Sequence, residues 1–152
     1  MKAVIQRVEN AAVTVDGRVV GSIGGGYMIL LGVVDTDTEA EARLLAAKTA
    51  SLRVFRDEND KMNLSILQVG GEALVISQFT LCADTRKGNR PSFTSSAEPK
   101  RANELYELYM DELRKNGVKK VEKGEFGAHM KVSLVNDGPV TIILDTDTWK
   151  RA

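Results

Sequence analysis

The stretch Ala11-Ala12-Val13-Thr14-Val15-Asp16-Gly17-Arg18-Val19-Val20-Gly21 decides the fold class. Two β-type runs flank Asp16-Gly17, a pair that suits a two-residue hairpin turn because both central residues there need positive φ. Antiparallel pairing is thus predicted at the start of the chain. Upstream, Ala3 to Val8 reads as a strand that ends in polar residues. Downstream, Gly24-Gly25-Gly26 reads as a bend opening a buried strand, Tyr27 to Val34. Strands therefore accumulate before any helix.

The first helix is expected next. Asp35-Thr36-Asp37 offers N-caps, and Glu39 and Glu41 suit the positive end of the helix dipole. Ala40, Leu44 and Ala47, with Leu45 beside them, form its predicted apolar stripe. Arg53-Val54-Phe55 reads as a short strand, Asp57 to Asp60 as a polar turn, and Ala73 to Leu81 as a strong strand. Thr85 to Ser96 has no period and reads as a loop. Pro99 suits the first position of a second helix, and Gly117 its stop. Leu105, Leu108, Tyr109 and Leu113 would line its inner side. Lys119 to Glu122, Met130 to Val135 and Val140 to Asp145 return to β, with Asp137-Gly138-Pro139 breaking the chain before the last. This order does not alternate β and α. It predicts one α+β domain over residues 1–152 with an antiparallel or mixed sheet.

Composition narrows the function. The 21 Lys and Arg balance the 21 Asp and Glu, which argues against holding nucleic acid by bulk charge. A single cysteine, Cys82, excludes an internal disulfide. With one His, His129, a Cys/His zinc site lacks ligands and a Ser-His-Asp triad has one base to choose. The longest apolar run, Tyr27 to Val34, is too short to cross a membrane. A cytoplasmic protein is the expectation, and a carboxylate-rich metal site stays open, without a clustered signature.

Two segments stand out. Ser77-Gln78-Phe79-Thr80-Leu81 ends an apolar strand in polar side chains. Alternation would put Ser77 and Phe79 on one face, Gln78 and Thr80 on the other. From its residues alone it reads equally as a solvated strand end or as a site. Asn136-Asp137-Gly138-Pro139-Val140-Thr141, on its own, reads as a plain turn between strands.

Together the two segments resemble the Ser-Gln-Phe-Thr-Leu and Asn-x-Gly-Pro-Val-Thr motifs of the D-aminoacyl-tRNA deacylases, also called D-tyrosyl-tRNA deacylases. The resemblance extends to Gln6-Arg7-Val8, Lys87 to Phe93 and Gly127-Ala128-His129-Met130. It implies a β-barrel-like core with flanking helices and no metal or other cofactor. It implies a homodimer in which Gly138-Pro139, joined by a cis bond, reaches into the partner's site. It implies an enzyme that hydrolyses the ester of D-aminoacyl-tRNA, and of glycine mischarged on tRNA-Ala, while sparing L-aminoacyl-tRNA. The catalytic group would be Ser77, Gln78, Phe79 and Thr80, and the chiral selector Gly138 and Pro139 with Met130 beside them.

The residues suit that chemistry. An ester next to a ribose hydroxyl needs an attacking water, oxyanion donors and orientation. Rejecting every L side chain needs a rigid backbone element near Cα, since L side chains share no shape. Thr80 has no basic neighbour in sequence to make it a nucleophile, so a positioning role is expected, with the N–H groups around Phe79 and Thr80 as oxyanion donors. Arg7, Arg86, Lys87 and Arg90 are the candidate tRNA contacts. Arg114, Lys115, Lys119, Lys120 and Lys123 form a second basic group, offset by Glu122. The alternative is a noncatalytic tRNA-binding module of the same fold.

Overall fold

The computed structural model describes residues 1–149. In chain order it contains β1 (Lys2–Val15), β2 (Arg18–Ile23), β3 (Gly26–Gly32), α1 (Glu39–Ser51), β4 (Phe55–Arg56), β5 (Met62–Leu64), β6 (Glu72–Ser77), α2 (Pro99–Lys115), β7 (Val121–Lys123) and β8 (Lys131–Asp145). Two 3-10 turns, Phe79–Cys82 and Thr146–Trp149, add to these.

β1 organises the sheet. Where the sequence suggests two strands, one 14-residue strand runs through, because its second edge is paired along nearly its whole length. Its N-terminal half pairs antiparallel with β3, and its C-terminal half with β2 across the expected Asp16-Gly17 hairpin. The opposite edge pairs antiparallel with β8. β3 pairs parallel with β6, and β6 parallel with β7. β2 then meets β7 where Gly21 lies against the Lys123 carbonyl, so the mixed sheet nearly closes into a barrel. This is the expected α+β, barrel-like class.

Both helices pack over one part of the barrel, around a core that includes Ile5, Ile29, Leu31, Leu45, Val75, Tyr109 and Leu113. Thr49 and Tyr109 hydroxyls meet at 2.8 Å between the helices, and Tyr106 donates to the Val75 carbonyl at 2.6 Å, tying α2 to β6. The α1 stripe differs from expectation. Ala42, Leu45, Ala46, Thr49 and Ala50 are buried, whereas Ala40, Leu44 and Ala47 face solvent. The cap differs too. Thr38 caps the helix, in a reciprocal pair with Glu41. Asp37 is taken by tertiary contacts: its carboxylate is 2.7 Å from the Met1 ammonium and accepts from the Val34 N–H. Leu105, Tyr109 and Leu113 are buried on α2 as predicted, with Leu108 partly so. Among the described residues no helix is long and apolar enough to cross a membrane.

Candidate active site

The strand expected over Ala73 to Leu81 stops at Ser77. Gln78 still donates its N–H to the Leu31 carbonyl at 2.8 Å, and the chain then turns into the 3-10 segment Phe79–Cys82. Gly32 permits the turn at this place. A Cβ there would stand 2.9 Å from Leu81 Cβ and 3.3 Å from the Gln78 carbonyl oxygen. Strand alternation therefore fails beyond Ser77, and the first N–H groups of the turn, those of Phe79 and Thr80, have no carbonyl of the turn to bond. The Gln78 amide donates to the Thr80 hydroxyl. Phe79 is more than half exposed and meets Phe93 edge-on, with ring centroids 5.1 Å apart.

A cleft of about 530 Å³ opens beside this turn. Ser77, Gln78 and Phe79 form one part of its lining, Ala97, Pro99 and Ala102 another, and Phe126 to Met130 a third. Met130 lines the same cleft as Ser77 and Gln78. Thr80 is exposed and joins the cleft only through Gln78. Sequence reasoning missed Ala97, Pro99, Ala102 and Phe126, whose apolar character looks like ordinary packing. For the third part of the lining the signal was the resemblance at Gly127-Ala128-His129-Met130. Cys82 lies behind the turn, where its thiol donates to the Val33 carbonyl at 3.5 Å. Burial pushes that thiol up, so it is held as the unreactive thiol.

Gly138 and Pro139 do not line this cleft. The break expected at Asp137-Gly138-Pro139 is instead a protrusion within the continuous β8. Gln6 faces Thr141 and Val8 faces Asn136, so the single residue Arg7 opposes the four residues from Asp137 to Val140. The Gly138–Pro139 peptide is cis and Gly138 has φ 139. Arg7 fills the space beneath. It is 2% exposed, donates from Nε to the Asp137 carbonyl at 3.0 Å, and from Nη1 to the Val54 carbonyl at 2.6 Å.

The remaining cations are on the surface. Arg86 is held by Asp84 at 2.7 Å, and this contact keeps the Asp84 carboxyl at about 2. Lys87 and Arg90 are exposed in the same loop. In the second basic group, Arg114, Lys115, Lys120 and Lys123 each meet a carboxylate. Among the described residues no three His, Cys, Asp or Glu side chains converge as metal ligands.

The nearly closed barrel thus carries one cleft in which the Ser77 hydroxyl and the Gln78 amide meet a mostly apolar wall. The family follows from comparison with known proteins. The family model for D-Tyr-tRNA(Tyr) deacylase matches residues 4–145. A protein of Roseiflexus castenholzii described as D-aminoacyl-tRNA deacylase is 60% identical over 150 residues, covering 99% of this chain and 95% of its own. One of Koribacter versatilis with the same description is 56% identical over 146 residues, covering 96% and 97%. Among solved structures, a c-Myc DNA unwinding element binding protein superposes with TM-score 0.90 at 41% identity, covering 95% of this chain and 98% of that one. A structure described as a probable eukaryotic D-amino acid tRNA deacylase has TM-score 0.83 at 15% identity, covering 94% and 97%, and shares the fold. The chain belongs to the D-Tyr-tRNA(Tyr) deacylase family, an enzyme family that hydrolyses the aminoacyl-tRNA ester bond.

Proposed function

We propose that this protein hydrolyses the ester of D-aminoacyl-tRNA, and of glycine mischarged on tRNA-Ala, as a cytoplasmic homodimer that proofreads chirality in translation. One observation carries the reading. The Ser77-Gln78-Phe79-Thr80 turn opens onto a cleft, while Gly138-Pro139 projects from a distant part of the same chain, on a support built around buried Arg7. A projecting backbone element that stands outside its own chain's cleft suits insertion into a second copy's cleft.

In that arrangement the N–H groups of Phe79 and Thr80 receive the carbonyl oxygen as it becomes an oxyanion. Thr80, held by Gln78, positions rather than attacks. Water adds to the carbonyl, helped by the ribose 2′-hydroxyl, and the ribose 3′-oxygen leaves. The carbonyls of the partner's Gly138 and Pro139 hold the α-ammonium and occupy the space an L side chain requires. Glycine, with nothing to exclude, passes. Met130 packs beside the ester. The exposed cations Lys87 and Arg90, with Arg86, meet the acceptor stem. Arg7, buried under the protrusion, acts as its support.

The test is release of free amino acid from D-Tyr-tRNA, with Thr80→Ala as the mechanistic variant. Near-normal release by Thr80→Ala supports the positioning role, and a loss of about 10⁴-fold assigns a nucleophile instead.

A further inference from the structure

The lining of the cleft is almost free of charge. Of its residues, His129 alone is ionisable. The others are apolar side chains and the neutral Ser77, Gln78 and Ser96. His129 is exposed, in the wall that also presents Gly127, Ala128 and Met130. No hydrogen bond or ion pair engages its imidazole among the described residues. Neither Arg86, Lys87 nor Arg90 lines the cleft.

An aminoacyl ester on the last nucleotide of an RNA brings an anion with it, the phosphodiester at the 5′ side of that nucleotide. A lining without cations leaves this group to whatever donor stands at the rim. Imidazole carries an N–H donor in both protonation states, and phosphate oxygens accept such donors readily. Resting on the deacylase reading above, we propose that His129 is a positioning residue that binds the phosphate 5′ to the terminal nucleoside. It thereby sets how deeply the ester enters between Phe79 and Met130. The contact is made alike in ground and transition states, so it belongs to KM rather than kcat.

The experiment compares two small esters, 3′-O-D-tyrosyl-adenosine and the same compound bearing a 5′-phosphate, on the purified protein. The wild type is expected to show a KM about twofold to fivefold lower for the phosphorylated ester, the scale of one exposed charged contact. In His129→Phe, which keeps a ring and loses both nitrogens, that preference collapses to about one. His129→Arg restores it. Equal KM for the two esters in the wild type, or a preference that survives His129→Phe, overturns the proposal. Loss of preference that His129→Arg fails to restore overturns it too, marking a shape role. If the wild type cleaves neither ester nor D-Tyr-tRNA, the deacylase reading itself has failed. Intact turnover with no phosphate preference sinks this inference alone.

Discussion

Arg7 and Asp137 lie 130 residues apart in sequence, yet Arg7 Nε donates to the Asp137 carbonyl at 3.0 Å. Through Nη1 the same guanidinium holds the Val54 carbonyl, so three segments of chain meet at one buried cation. Removing it leaves the buried Val54 carbonyl and the part-buried Asp137 carbonyl without their donors. Arg7→Ala is expected to lose about 2–4 kcal/mol of stability and most deacylation with it. Arg7→Lys recovers only part, because an ammonium lacks the planar fork that spans both carbonyls. Denaturant midpoints and turnover of both variants check this.

Gly138 is the sharper probe of the protrusion. Its φ of 139 disfavours any L side chain, and a Cβ would lie 2.8 Å from the Val140 nitrogen and 3.2 Å from Arg7 Nη2. Gly138→Ala must shift the turn. Because the turn is exposed, the fold survives, while deacylation drops by about 10²-fold, the usual cost of a displacement near 1 Å in a positioning element. A thermal melt beside a rate measurement separates the two effects.

Gly124 controls the cleft from behind. A Cβ there would collide with Met130 Sδ and stand 3.3 Å from Ile76 Cδ1. The flexible Met130 yields more easily than the packed Ile76, and it yields toward the cleft. Gly124→Ala should therefore raise KM several-fold with a smaller change in kcat, and Met130→Ala in the same background should reverse the KM effect.

All three tyrosines are buried: Tyr27, Tyr106 and Tyr109. Burial is the largest cause pushing each phenol above its ordinary 10.0. The sign is fixed by linkage. Above pH 10 the unfolded chain releases phenolic protons that the folded chain retains, so stability is full below that pH and falls as pH rises beyond it. Native protein should show no tyrosinate absorbance at pH 10 to 11, and the signal should appear in one step with unfolding. Gradual ionisation in the folded state would contradict this burial.

Much of the fold was legible in the sequence where local chemistry decides it. Asp16-Gly17 fixed a hairpin, Pro99 opened a helix, and the spacing of Leu105, Tyr109 and Leu113 gave the face that α2 buries. Where tertiary contacts decide, the reading slipped. Asp37 looks like a cap, yet a buried ammonium claims it and Thr38 caps instead. On α1 alanines crowd both faces, so Leu44 appeared inside and stands outside. The Ser77 segment announced itself by polar residues after an apolar strand, but its turn depends on Gly32 from another strand. Arg7 gave no sign of burial, since the partners that let a cation sit there, the carbonyls of Val54 and Asp137 and the Asp137 carboxylate 3.5 Å from Nε, come from distant segments.

The central claim is chiral selection of an ester. Matched D-Tyr-tRNA, glycyl-tRNA and L-Tyr-tRNA, incubated with purified, EDTA-treated protein, test it most directly. The D ester and the glycyl ester should be released rapidly, with the L ester surviving at its spontaneous rate. Hydrolysis of the L ester as fast as the D ester would contradict selection by Gly138-Pro139. Binding of all three without release would contradict catalysis and leave a tRNA-binding module of the same fold.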